Sequence, residues 1–281
     1  MCTLAPPPRL RRRPVRARSM LSIQMPDFRS FDSIMAATPA WPPRSAPRLF
    51  VAGPLVQDAQ VTIEGGQAHY LSKVMRVAPG DAVILCDDET GEWAGEVNSA
   101  GKRDVVLTLR ERLRAREAVP DFWLCAALLK KPNFDLVLEK ATELGVAMIQ
   151  PLITRRCVAD KLNAERAATI VTEAAEQCAR TALPQVAAPV KLETLLRDWP
   201  ESRALFFADE TGGETAAAQF AAHSGPAALL VGPEGGFDEE ERALIRAHPM
   251  ARAITLGPRI LRGETASIGA TALWMAVSGD W

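Results

Sequence analysis

The sequence of 281 residues contains no apolar stretch approaching the ~20 residues that a membrane-spanning helix needs, so a bilayer is not an expected partner. It contains no CxxC pair either: its five cysteines, Cys2, Cys86, Cys125, Cys157 and Cys178, are spread along the chain, as are His69, His223 and His248. That scatter argues against zinc and against a disulfide framework, and for reduced thiols in a cytoplasmic protein with no bound metal. Also missing are GxxxxGK[ST] and an early GxGxxG, the strings of the two commonest phosphate-cradling loops. Strong net charge is absent as well. The total is −1, and because residues 1–47 hold eight arginines against two aspartates, residues 48–281 carry −7. Bulk charge therefore gives no support to nucleic-acid binding, and any such site must be a local patch.

What is present falls into three stretches. Residues 1–47 are rich in Pro and Arg ("APPPRLRRRPVRARS") without helix or strand period, which reads as a disordered or over-extended N-terminus with Met20, Met25 or Met35 as other possible starts. An RNA-binding arm and an organelle presequence are the alternatives. Residues 48–118 carry short β-like signals ("RLFVAG", "VTIEG", "DAVILCD", "WAGEVNS", "DVVLTLRERL") interrupted by one helical insert, "QAHYLSKVMRV", and predict a small β-barrel. Residues 101–116 hold six basic and two acidic residues, either a solvated strand or an edge that contacts phosphates.

From residue 119 to 281 the period changes. "FWLCAALL" is a buried-strand run, and "NFDLVLEKATELG" puts Phe134, Val137, Leu138, Ala141 and Leu144 on one helical face, with Gly145 as the stop. Later an apolar strand, a loop and a helix recur three times, around "RALFFADETGG", "AALLVGPEGG" and "AITLGPRILRGE". The fold class is α/β, with a mostly parallel sheet and ligands at the strand carboxyl ends.

In "GPEGG", Gly232, Gly235 and Gly236 permit close backbone approach, but Glu234 sets a negative charge where a phosphate would rest, so a neutral or cationic ligand fits better. Asp238, Glu239 and Glu240 are explained as helix-start residues, with Glu241 as the box partner of an Asp238 cap. In "LGPRILRGETA", Gly257 and Pro258 turn the chain, Ile260 and Leu261 form an apolar wall, and Arg262 and Glu264 precede an expected Thr265 cap. The following helix sets Ala266, Gly269, Ala270 and Leu273 on one side, suited to close packing within the domain or across a dimer.

"EKATELGV", "EQCAR", "LLVGPEGGF" and "LGPRILRGETA", together with "HYLSKVMRVAPGDAVILCD" around His69, Arg76, Gly80 and Asp81, resemble the RsmE family, the bacterial 16S rRNA uridine-N3 methyltransferases. The likeness runs from Arg48 to Trp281. It implies a PUA-like RNA-binding barrel followed by a SPOUT domain with a deep trefoil knot, acting as a homodimer on 16S rRNA in the small ribosomal subunit. It further implies S-adenosyl-L-methionine held by Gly232, Glu234, Gly235, Leu256, Gly257, Ile260, Leu261 and Ala266. Arg262 and Glu264 are then the candidate catalytic pair. Arg76, Lys102, Arg103, Arg156 and Lys161 are candidate RNA contacts. Another SPOUT enzyme, methylating a ribose 2′-OH on tRNA, and a non-catalytic ribosome-associated RNA-binding protein are the rival readings.

Overall fold

The structure, a computed structural model, describes residues 41–281; the reading of residues 1–40 lies outside them, and residues 41–47 form neither helix nor strand. A first sheet of five strands comprises β1 (Arg48–Phe50), β2 (Gln60–Glu64), β3 (Ala82–Cys86), β4 (Glu92–Ala100) and β5 (Asp104–Arg114), in the order β1-β3-β4-β5-β2. Only the β1–β3 pairing is parallel. Alternation sets the burial: Val105, Leu107 and Leu109 of β5 point inward while their neighbours are less buried. Leu49 from one edge strand and Ile63 from the other enter the same core, so the sheet curls around it as a small barrel. The helical insert is real: α1 (Gly65–His69) runs into a π-helical stretch, Tyr70–Met75, which ends at Arg76 in the left-handed conformation, φ 56°.

The second sheet is built from β6 (Phe122–Ala127), α2 (Lys131–Glu143), β7 (Met148–Ile153), α3 (Ala164–Cys178), β8 (Gln185–Val186), β9 (Val190–Lys191), α4 (Leu192–Arg197), β10 (Ala204–Ala208), β11 (Glu214–Thr215), α5 (Ala216–Ala221), β12 (Ala227–Val231), α6 (Glu239–Ala247), β13 (Ala251–Thr255) and α7 (Gly263–Ser278). Its order is β11-β13-β10-β12-β6-β7-β8, with β9 also on β7, and every pairing is parallel. A parallel sheet buries both faces. Leu124, Phe206 and Leu229 accordingly enter one core with residues of α2, α3, α5 and α7, whereas Leu205, Phe207 and Leu230 enter a second with residues of α4 and α6. The face expected for α2 is buried at Phe134, Val137, Leu138 and Ala141, and Gly145 ends it at φ 90°. Leu144 is only half-buried.

The order β13-β10-β12-β6 positions the site. β13 lies beyond β10, yet α7 returns across the sheet to pack against β12, β6, α5 and α2, with Trp274 stacked on Phe122 at 4.1 Å. Residues 256–262 must therefore run past the carboxyl ends of β10 and β12. Of the described cysteines, Cys86 and Cys125 are buried, and burial pushes their thiols up to about 11 and about 12; Cys157 is half-buried and Cys178 exposed.

Candidate active site

Three loops, following β10, β12 and β13, enclose a cleft open to solvent, at the strand carboxyl ends where parallel sheets bind small molecules. Val231, Ile254, Leu256, Ile260, Leu261 and Ala266 supply apolar wall, and Asp209, Glu210, Arg242 and Arg259 supply charge. Two glycines keep the loops close. A Cβ on Gly263 would fall 2.9 Å from the Leu129 side chain and 3.3 Å from the Gly232 carbonyl oxygen; one on Gly236, at φ 66°, would fall 2.9 Å from Glu210 Oε1. This cradle fits a flat apolar base with a polar appendage.

Gly232, Leu256, Gly257, Ile260, Leu261 and Ala266 line the cavity. Glu234 and Gly235 do not; both are exposed at the tip of the β12–α6 loop. That loop is braced from outside: Arg156 donates from Nη1 to the carbonyls of Gly235 (2.8 Å) and Phe237 (3.4 Å), and the Arg155 N–H donates to Glu241 Oε1 at 2.8 Å. The Arg155 side chain also pairs with Asp238 at 3.0 Å and with Glu240, hydrogen bonds that raise its already high pKa. Asp238 and Glu241 form the expected capping box of α6. The Glu241 N–H donates to Asp238, which with Arg155 keeps the Asp238 carboxyl below the usual range.

The α7 start differs from expectation. Its N-cap is Arg262, without a side-chain cap, and Thr265 lies inside the first turn. Helical geometry begins two residues before the threonine, at Gly263, which packs closely against Leu129: a Cβ there would fall 2.9 Å from that side chain. Neither Arg262 nor Glu264 lines the cavity, though Gly263 and Ala266 do: Arg262 is exposed, and Glu264 is buried with Oε2 lacking a hydrogen-bond partner. The two form no ion pair. Arg76, Lys102, Arg103 and Lys161 are exposed and apart from the cavity lining: Arg76 follows the π-helical stretch, Lys102 and Arg103 lie in the β4–β5 turn, and Lys161 precedes α3.

Sequence reasoning missed Asp209, Glu210 and Arg242. Asp209 is buried, which alone would raise its pKa; the Thr211 N–H and hydroxyl and Arg246 outweigh burial and hold it low. The available signal was an acidic pair at the end of the first strand in the threefold strand-loop-helix recurrence, "FFADETGG".

Residues 116–275 match the RNA methyltransferase domain and residues 63–110 the RNA methyltransferase PUA domain. The chain is 34% identical over 233 residues to ribosomal RNA small subunit methyltransferase E of Synechocystis, spanning 80% of this chain and 76% of that protein. It is 29% identical over 229 residues to the Rickettsia conorii protein of the same name, spanning 80% and 93%. Among solved structures it resembles the Neisseria gonorrhoeae methyltransferase E bound to S-adenosyl methionine, with 27% identity and a TM-score of 0.76 over 84% of this chain and 99% of that one. A Legionella pneumophila methyltransferase in complex with its cofactor SAM gives 29% identity and a TM-score of 0.77 over the same shares. With the methyltransferase domain covering more than half of its length and the PUA domain ahead of it, this chain belongs to the ribosomal RNA small subunit methyltransferase E family.

Proposed function

We propose that this protein transfers the methyl group of S-adenosyl-L-methionine to N3 of a uridine in 16S rRNA, in the cytoplasm. The observation that carries this reading is the cavity at the ends of β10, β12 and β13, whose apolar wall and glycine-lined turns suit an adenosine. The similar Neisseria and Legionella structures hold that cofactor. Residues 48–118 are the RNA-binding barrel and residues 119–281 the catalytic domain. The return of α7 across the sheet favours a knotted path there. No described helix is long and apolar enough to cross a membrane, in keeping with a cytoplasmic enzyme.

When bound, the cofactor supplies an electrophilic methyl group on a sulfonium. Gly232, Leu256, Gly257, Ile260, Leu261 and Ala266 would hold it, with Glu234 and Gly235 adjoining from the loop tip. Uridine N3 lies between two carbonyls and bears a weakly acidic proton, so the nitrogen becomes a good nucleophile only on losing it. Glu264 accepts that proton: its carboxylate is buried beside the cavity with one oxygen unbonded. Arg262, exposed one residue before the helix, offsets the charge that spreads onto O2 and O4. The base must be unpaired or flipped out to reach them, with Arg76, Lys102, Arg103, Arg156 and Lys161 available to phosphates.

A homodimer is the expected assembly. The outward face of α7 carries exposed Thr265, Gly269, Ala276 and Val277 and half-buried Ile268, Ala272 and Leu273, a small and apolar surface. The test is addition of labelled S-adenosylmethionine to unmethylated small ribosomal subunits, with the modified nucleotide mapped by mass spectrometry. Label on uridine N3 is the expected result; label on a ribose hydroxyl, or none, sinks the proposal.

A further inference from the structure

We propose that Glu210 recognises the ribose of the cofactor, its carboxylate accepting hydrogen bonds from the ribose hydroxyls. The inference rests on reading the cavity as the S-adenosylmethionine site, and it follows from an inventory of the carboxylates there. Asp209 is spent: Oδ1 accepts from the Thr211 N–H (2.9 Å) and hydroxyl (2.8 Å), and Oδ2 from Arg246 Nε (3.0 Å) and Nη2 (2.5 Å). Glu234 is exposed outside the lining. Glu210 is the remaining acid in the wall, exposed at the cavity mouth with its side chain 45% accessible. Its Oε1 accepts from Arg242 Nη2 at 2.9 Å, and its Oε2 has no hydrogen-bond partner among the described residues.

Arg242 does two things to this carboxylate. It fixes the orientation, because the guanidinium is itself anchored between Asp209 (3.4 Å) and Glu239 (3.1 Å). It also offsets the negative charge, which makes Glu210 a poorer partner for a cation but leaves it a good acceptor for neutral hydroxyls. Gly236, at φ 66°, brings the β12–α6 loop close to this carboxylate: a Cβ there would lie 2.9 Å from Oε1 and 3.3 Å from Oε2. Glu210 follows the end of β10, the strand beside β12 with its glycine-rich turn. A carboxylate held at the carboxyl ends of a parallel sheet, where such folds bind their ligands, can accept hydrogen bonds from ribose hydroxyls. Leu256, Ile260 and Leu261 across the cavity leave room for the base on an apolar surface.

The test measures dissociation constants by calorimetry for S-adenosylmethionine, S-adenosylhomocysteine and the 2′-deoxy and 3′-deoxy forms of the latter, on the wild-type protein and on Glu210→Ala. Thermal unfolding of the cofactor-free proteins checks folding. On the wild type, removing a ribose hydroxyl weakens binding on the order of tenfold, the scale of a hydrogen bond to a charged group. In Glu210→Ala that penalty largely disappears, and S-adenosylmethionine and S-adenosylhomocysteine lose affinity by the same factor. A loss confined to S-adenosylmethionine would mean that the carboxylate faces the sulfonium and overturns the inference. So does a deoxy penalty that persists in the variant. Should that variant fail to fold, Glu210→Gln, which keeps the side chain's shape and removes its charge, takes its place: a deoxy penalty unchanged from the wild type overturns the inference, as does a wild-type protein that binds the deoxy analogues as tightly as their parent. A wild-type protein that binds none of these ligands overturns the cofactor reading itself, an outcome distinct from failure of Glu210 alone.

Discussion

At the junction between the first sheet and α3, charged groups are tied down, whereas at the cavity several stand free. Buried Glu92 binds both Arg48 and Arg114, and Arg114 Nη2 donates to the Ala179 carbonyl at 2.7 Å. Glu117 Oε1 accepts from the N–H groups of Thr181 and Ala182 (3.1 Å each) and from Arg180, while the Phe50 N–H donates to Glu176 at 2.8 Å. At the cavity, Asp209, Glu210 and Arg242 are paired, but Arg259 in the lining and Arg262 just outside it are exposed without an ion-pair partner among the described residues, and Glu264, also outside the lining, is buried with Oε2 unbonded. Burying a carboxylate with an oxygen unsatisfied costs stability. Apart from Arg180 Nη2, which is buried without a partner, the junction is explained by folding, whereas the free charges around the cavity become intelligible once a ligand and a substrate complete them.

The sharpest break of that contrast is at Glu264. Glu264→Gln should slow methyl transfer by about 10²–10⁴-fold, the usual range for loss of a general base, with cofactor affinity and melting temperature near those of the wild type. Single-turnover rates across pH measure it. An unchanged rate and pH profile would remove Glu264 as the base and leave it a structural residue like Glu92. At the junction the pattern should reverse. Glu92→Ala removes the shared partner of Arg48 and Arg114 and should cost about 2 kcal/mol in urea unfolding, the scale of hydrogen bonds to a charged group, while the folded variant keeps its cofactor affinity. If cofactor affinity falls in parallel with stability, the two regions are coupled and the contrast fails.

Asp87 sharpens it on the pH axis. Burial alone would raise its pKa, but the Thr90 hydroxyl and the N–H groups of Leu55, Glu89 and Thr90 outweigh that and bring it to about 2. Because the folded value lies below the unfolded one, near 3.9, this stabilisation is present above about pH 4 and is lost as pH falls through about 2. Between those limits the melting temperature of Asp87→Asn should fall less steeply than that of the wild type. Identical slopes would mean that the turn contributes no linked stability.

The elements that periodicity specifies were legible. Alternation in "DVVLTLRERL", the helical face of "NFDLVLEKATELG" and the Asp238–Glu241 box all depend on neighbours within a few residues, and each appears in the structure. What depends on contacts between distant segments was not. The expected Thr265 cap lies inside a helix that starts at Gly263, a residue packed against Leu129, far away in sequence. Glu234 drew attention as the acid within the glycine run, yet the acids in the cavity wall are Asp209 and Glu210, whose only local mark is an acidic pair at a strand end. Its placement follows from the strand order β13-β10-β12, which brings three separate loops to one edge. The specificity of the loop motifs lay in the family resemblance rather than in spacing.

The smallest expected effect distinguishes free from tied basic residues on the barrel. Of the six in residues 101–116, Arg110 pairs with Glu96 at 2.8 Å, Arg114 with Glu92 and Arg116 with Asp88 at 3.1 Å, whereas Lys102 and Arg103 in the β4–β5 turn have no ion-pair partner among the described residues. Free cations can exchange counterions for RNA phosphates at no cost in broken pairs. Replacing Lys102 and Arg103 by Glu should therefore weaken RNA binding and lower the slope of log affinity against log salt by about 0.7 for each phosphate no longer neutralised, with unfolding unchanged. Arg110→Ala should leave that slope where it was. Equal slopes in all three proteins would take the turn out of the RNA-binding surface and assign the stretch to solvent.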